Sequence, residues 1–222
     1  MKLSDYIDHT LLKPTATERD IKTLCDEAVQ HHFKAVCVNG CYVKIAAAHL
    51  KHSKTMVAAV VGFPLGAMAT VAKVAEAKNC LQDGANEIDM VLNVGLLKSG
   101  LNAAVEKDIS EVKKAIGTHT LKVILETCYL TDEEITLAST LAVNAGADYV
   151  KTSTGFGTGN ATLEAVKLMK KAVNGKAKIK ASGGIRDQKT ALEYLNLGVH
   201  RIGTSSGVAI VTKNPETNEH TY

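Results

Sequence analysis

Apolar residues recur along this 222-residue chain in two alternating rhythms. Short β-rich runs occupy 6–12 (YIDHTLL), 34–39 (KAVCVN), 56–63 (MVAAVVGF), 86–93 (NEIDMVLN), 121–127 (LKVILET), 148–154 (DYVKTST), 177–184 (AKIKASGG) and 200–207 (HRIGTSSG). Between most of them lie stretches with apolar residues at helical spacing, among them TERDIKTLCDEAVQHH, NAAVEKDISEVKKAIG and NATLEAVKLMKKAVNG. Helix starts are marked by Thr15 or Thr17 before Glu18, by Thr131 with Glu134 following it as a capping box, and by Thr162. Helix exits carry glycine in DGAN, NAGAD and LGVH, where a left-handed cap is easy only for Gly. Strand–helix alternation requires a parallel sheet. About eight strands with no linker predict an α/β fold, a single (β/α)8 TIM barrel domain over residues 1–222 with a polar, mobile tail at 213–222.

Composition removes several function classes. Hydrophobic residues make up 45% and charged residues 22%, with mean hydropathy +0.01, as in ordinary globular proteins. The net charge of +3 is spread over apparent helix faces with acids interleaved, so no basic stripe offers itself to nucleic acid. Residues 56–72 are long and uncharged but are broken by Gly62, Pro64 and Gly66; they read as strand, loop and helix start, and no membrane role is expected. The N-terminal MKLSDYIDHT lacks the apolar run of a signal peptide. Five cysteines, odd in number and in or beside apolar segments, read as reduced thiols, which points to a cytoplasmic protein.

Polar residues gather where the strands end: Asp8 and Thr10, Asn39, Asp89 and Asn93, Glu126 and Thr127, Lys151 to Thr154, Lys180 to Gly184, Ser205 and Ser206. Ligands bind at the C-terminal ends of parallel strands, so this distribution predicts a pocket. In NEIDMVLN, alternation puts Ile88, Met90 and Leu92 on one face and Asp89 on the other. The same alternation separates Lys151 from Val150, and Lys180 from Ile179 and Ala181. Two lysines and an aspartate are therefore expected in one barrel mouth. A structural ion-pair network is the competing reading, but a pair needs only one lysine. A second ammonium disfavours protonation of its neighbour, and with desolvation it can bring an amine within reach of a carbonyl.

The loops STGFGTGN, SGGIR and GTSSG each follow a strand and precede a helix, offering backbone N–H groups and hydroxyls to an anion. Two of them follow the last two strands, the frequent phosphate position in such barrels, so a phosphorylated substrate is expected. A dinucleotide fingerprint fails, since Asn160 stands where it needs Gly. The spacing of Cys37 and Cys41 lacks the further ligands a metal needs.

EIDMVLN, DYVKTSTGF, KIKASGGIR and RIGTSSG, with YIDHTLLKP, AVCVN and VVGFPLG before them, resemble the deoxyribose-phosphate aldolase family across nearly the whole chain. The resemblance implies a class I aldolase that reversibly cleaves 2-deoxy-D-ribose 5-phosphate to D-glyceraldehyde 3-phosphate and acetaldehyde, without metal or cofactor. It matches Lys151 to the Schiff-base lysine, Lys180 to the lysine that perturbs it and Asp89 to the proton-transfer acid. Gly183, Gly184, Ser205 and Ser206 match phosphate-binding loops, with Thr154 and Gly155 lining the same cavity. Thr10 and Cys37 are expected as pocket residues, Cys37 equally as a small core thiol. Asn160 departs from the more usual Gly. The family commonly forms homo-oligomers. Another phosphate-binding barrel enzyme, an isomerase or a different imine-forming aldolase, and a non-catalytic sugar-phosphate-binding barrel are the rival readings. Tyr222 either folds over the pocket or frays.

Overall fold

Eight parallel strands close on themselves in sequence order: β1 (Ile7–Leu11), β2 (Ala35–Val38), β3 (Met56–Val61), β4 (Glu87–Val91), β5 (Thr120–Ile124), β6 (Tyr149–Lys151), β7 (Lys178–Ser182) and β8 (Arg201–Thr204), which pairs with β1. Around them run α1 (Glu18–Gln30), α2 (Val43–His49), α3 (Thr70–Gln82), α4 (Val94–Lys98), α5 (Asn102–Ile116), α6 (Asp132–Asn144), α7 (Leu163–Val173), α8 (Gln188–Asn196) and α9 (Gly207–Thr212). The structure, a computed structural model, describes residues 2–213. The expected tail beyond Lys213, with Tyr222, lies outside the described residues. This is the TIM barrel that the alternation predicts. Each strand ends one to three residues before its run does, and at β5 to β8 the residues left over are mostly polar or glycine and belong to the loops.

Local chemistry sets the element ends. Thr17, rather than Thr15, caps α1, accepting from the Asp20 N–H while the Asp20 carboxylate accepts from the Thr17 N–H. Thr131 and Glu134 form the same reciprocal box on α6, and the Thr162 hydroxyl accepts from Ala165 N–H at the start of α7. Gly146 leaves α6 at φ 88°, a conformation costly for other residues.

The main core lies between the strands and the helices. Outward residues such as Val36, Val57, Ile88, Met90, Leu121 and Val123 pack in one cluster with Ile21, Ile109, Val112, Val166 and Met169 of the helices. A small separate cluster of Leu12, Cys37, Ala58 and Val60 completes an apolar side of the interior. Charged side chains of β1, β4, β5, β6, β7 and β8 occupy much of the remaining interior. Among the described residues, no helix is long and apolar enough to cross a membrane.

Candidate active site

Alternation sends Asp8 of β1, Glu87 and Asp89 of β4, Lys122 of β5, Lys151 of β6, Lys180 of β7 and Arg201 of β8 into the barrel, where all are buried. Cross-strand register steps them around the wall, Asp89 opposite Lys122, Lys151 opposite Lys180, and Lys180 opposite Arg201. Lys122 Nζ donates to Asp89 Oδ1 and to Glu87 Oε2, both at 2.7 Å. Lys180 Nζ donates to Asp89 Oδ2 at 2.8 Å and to Asp8 Oδ2. Arg201 Nε donates to Asp8 Oδ1 at 2.7 Å, and its Nη1 and Nη2 fork onto Glu87 at 3.1 and 2.8 Å. Lys151 Nζ reaches one carboxylate oxygen, Asp89 Oδ2, at 2.9 Å.

The consequences differ sharply among the four cations. Burial works to lower Lys180, but the Asp8 and Asp89 carboxylates override it and raise its pKa. Lys122 is likewise raised, by Asp89 and Glu87 against burial, and Arg201 by Asp8 and Glu87. For Lys151 burial prevails: its single contact with Asp89 only partly offsets desolvation, the Lys180 ammonium adds repulsion, and its pKa falls. Asp89 responds oppositely. Burial alone would raise it, but Lys122, Lys151 and Lys180 hold it well below the usual carboxylate range. The result is one amine inclined to lose its proton beside a carboxylate that stays ionised.

The expected trio therefore comes together, in larger company than expected. Lys122, Glu87 and Arg201 were not singled out by sequence, and Asp8 was noted only as a polar strand end. A buried ion-pair network and a lysine whose pKa is lowered are both present, so the two readings do not exclude each other. Lys122 had a signal, since it alternates in phase with Glu126; Glu87 and Arg201 begin their strands, where a charge usually marks the surface.

The remaining expected residues lie at strand ends and in the loops that follow them. Thr10 Oγ1 donates to the Asp8 carbonyl at 2.8 Å. Cys37 is fully buried, its thiol pushed up by burial and by the Asp89 charge. Thr154 N–H and hydroxyl both donate to Glu126, a non-glycine residue at φ 54° whose carboxyl burial pushes up. Gly155 follows at φ 88°. At Gly184, φ 74°, an added Cβ would lie 3.0 Å from the Asn160 Cβ, so Asn160 takes its place against a glycine and needs none of its own. Gly183 precedes it at the end of β7. Ser206 is buried at the start of α9, and Ser205, half-buried, lines with Thr10 a cavity of about 370 Å³. Because β7 and β8 are neighbours, Gly183, Gly184, Ser205 and Ser206 follow adjacent strands.

A closed (β/α)8 barrel with a buried lysine of lowered pKa at a strand end is an arrangement found among barrel enzymes that use a lysine as nucleophile. Comparison with known proteins narrows the class. The model for DeoC/LacD family aldolases matches residues 3–213. A deoxyribose-phosphate aldolase of Finegoldia magna is 55% identical over 95% of this chain and 99% of its own. That of Mycoplasma capricolum is 50% identical over 100% and 99%. Among solved structures, an aldolase named QR15 superposes with TM-score 0.93 at 41% identity, covering 96% of each chain. A deoxyribose phosphate aldolase of Aeropyrum pernix, described as tetrameric, gives 0.87 at 32%, covering 95% of this chain and 90% of its own. The chain belongs to the DeoC/LacD aldolase family.

Proposed function

We propose that the chain cleaves 2-deoxy-D-ribose 5-phosphate reversibly into D-glyceraldehyde 3-phosphate and acetaldehyde through a Schiff base on Lys151. The aldolase activity is that of its close full-length relatives. The observation that carries the residue assignment is that Lys151, alone among the four cations of the centre, has a single carboxylate contact, on an Asp89 oxygen it shares with Lys180, in keeping with its lowered pKa.

As a neutral amine, Lys151 attacks C1 of the open-chain sugar, and water leaves to give a protonated imine. The C2–C3 bond then breaks, its electron pair passing into the imine to form an enamine, while the C3 hydroxyl loses its proton and becomes the aldehyde of the departing glyceraldehyde 3-phosphate. Protonation of the enamine at C2 and hydrolysis release acetaldehyde and the free lysine. Asp89 serves the proton transfers through a water. The Lys122 and Lys180 ammonium groups hold its carboxyl low, so it passes protons on rather than storing them. Lys180, held charged by two carboxylates, keeps Asp89 ionised and repels a proton from Lys151.

The phosphate is assigned to Gly183, Gly184, Ser205 and Ser206, with Thr154 and Gly155 lining the same side. Thr10 and Cys37 line the pocket without taking part in the chemistry. A cytoplasmic homo-oligomer without nucleic-acid or membrane partners completes the reading; the unbridged state of all five cysteines and the tetrameric relative support it.

Borohydride reduction in the presence of acetaldehyde, followed by peptide mass mapping, tests the assignment. A reduced adduct on Lys151 is expected. Cleavage proceeding with no adduct, or with the adduct on another lysine, rejects it.

A further inference from the structure

The seven buried charges have a connectivity beyond their individual contacts. Starting from Asp8, the ion pairs run to Lys180, to Asp89, to Lys122, to Glu87, to Arg201 and back to Asp8. Three carboxylates and three cations alternate in a closed ring, each member bridging two of the opposite sign. The ring is neutral. Lys151 hangs on it from outside, on the Asp89 oxygen that Lys180 already occupies.

The ring reaches well below the reacting amine. Glu87 is one inward step earlier on β4 than Asp89, and Arg201 is the first residue of β8. Both line a cavity of about 720 Å³ at the N-terminal end of the barrel, with Lys34, Tyr149 and Lys178. Neither contacts Lys151. Burial of an ion pair adds little stability over an apolar replacement. What the closed ring does accomplish is to commit every carboxylate to another cation, so that Lys151 has none of its own.

We propose that Glu87, Lys122 and Arg201 are positioning residues for the aldolase reaction: they complete a neutral ring that commits Asp89 and Lys180 to each other and leaves Lys151 the surplus cation. The inference rests on the imine chemistry of Lys151 proposed above. The titratable groups around Lys151 are Asp89 from β4, Lys180 from β7, Cys37 from β2 and Glu126 beyond β5. Of these, Asp89 and Lys180 are ring members, so a change at the far side of the ring reaches Lys151 through them.

The sign of the effect depends on which charge is removed. Without a ring cation, as in Arg201→Met or Lys122→Met, a carboxylate is freed, more negative charge falls to Lys151, and its ammonium is favoured. Without a ring anion, as in Glu87→Gln, the interior gains a net positive charge and the ammonium is disfavoured. The test is the pH dependence of the rate at which acetaldehyde gives a borohydride-trapped adduct on Lys151. Its acid limb is expected to move to higher pH by about half a unit in Arg201→Met and about one unit in Lys122→Met, and to lower pH by about half a unit in Glu87→Gln. Lys122→Arg, which keeps the charge, is expected to restore most of the Lys122→Met shift. The two floor variants keep the test decisive if Lys122→Met does not fold, because the adjoining cavity can hydrate an orphaned Glu87 or Arg201. Folded floor variants whose acid limbs coincide with the wild-type limb, or move in the same direction, overturn the proposal and leave the ring a scaffold. Absence of any wild-type adduct on Lys151 at every pH overturns the imine reading instead, and the positioning role with it.

Discussion

Two buried lysines, one between barrel and helices and one in the barrel mouth, show what separates an exclusively paired charge from a shared one. Lys73 of α3 is fully buried, with Nζ 2.6 Å from Asp108 of α5 and 3.0 Å from the Val91 carbonyl at the end of β4. Among the described residues Asp108 pairs with no second cation; its other oxygen accepts from the Thr70 hydroxyl at 2.7 Å. Lys151 is also buried and only slightly farther from its carboxylate, at 2.9 Å, but Asp89 serves two other lysines as well. Contact distance therefore does not distinguish the two sites. Exclusive pairing does: Lys73 locks α3 and α5 to the barrel, whereas shared pairing leaves Lys151 poorly compensated for its desolvation.

The largest expected effect breaks the mouth side of this comparison. Lys151→Met is expected to lower the rate of deoxyribose 5-phosphate cleavage by roughly 10⁴-fold or more, since the imine proposed above is built on the Lys151 nitrogen. Its melting temperature should rise rather than fall. A buried lysine whose native pKa lies below its unfolded value destabilises the fold while it carries its proton, and wild-type stability grows as pH climbs from that lowered value toward about 10.4. Removing the group lifts this penalty. The gain of the variant over wild type should thus be largest near neutral pH and close as pH approaches about 10. A variant less stable than wild type throughout would make Lys151 a structural cation like Lys73.

Asp89→Asn comes next and separates two roles. Cleavage is expected to fall about 10³-fold through lost proton transfer. Trapping of acetaldehyde on Lys151 should survive, with its acid limb at lower pH, because the Asp89 charge favours the Lys151 ammonium. The variant also leaves Lys122 with Glu87 alone and Lys180 with Asp8 alone, which costs stability, so both assays belong well below its melting temperature. Equal losses of trapping and cleavage would reduce Asp89 to a group that merely holds Lys151 in place.

The sequence made one side of the mouth far easier to read than the other. Alternation in NEIDMVLN, DYVKTST and AKIKASGG identified Asp89, Lys151 and Lys180 because each interrupts an apolar strand near the end where ligands bind. The strands themselves were legible for the same reason, and Thr131 with Glu134 fixed the start of α6 in advance. The ring was not legible. Its contacts join residues as far apart as Asp8 and Arg201, 193 positions, and alternation says which residues face inward but not which of them meet across the barrel. Lys73 was hidden differently: in a helix with mixed apolar and charged residues a lysine reads as solvated surface, and only the packing of α3 against α5 and Val91 encloses it.

On the scaffold side, Lys73→Met is expected to cost about 3 kcal/mol, chiefly because Asp108 is left buried and uncompensated. Chemical denaturation measures this. Removing both partners, Lys73→Met with Asp108→Leu, should recover much of the loss, since an apolar pair of similar volume escapes the desolvation penalty. Neither change is expected to move the acid limb of Lys151 trapping. A shifted limb would connect the two lysines and dissolve the contrast between them.

The smallest effect concerns a third ammonium–carboxylate contact that is as short as either buried one. Lys98 Nζ lies 2.5 Å from Glu134 at the surface, where Glu134 also accepts from the Thr131 N–H in the α6 capping box. The Lys98 and Thr131 bonds hold the Glu134 carboxyl below its ordinary value. A depressed carboxylate contributes stability above its unfolded pKa and loses it as pH falls through the folded one. Lys98→Met should therefore lower the melting temperature by no more than about 2 °C near neutral pH, and by nothing measurable in acid or in about 1 M salt. A loss that persists in high salt would mean that the Lys98 stem, rather than its charge, supports α6. Water and counter-ions supply at the surface what the barrel mouth must withhold for Lys151 to give up its proton.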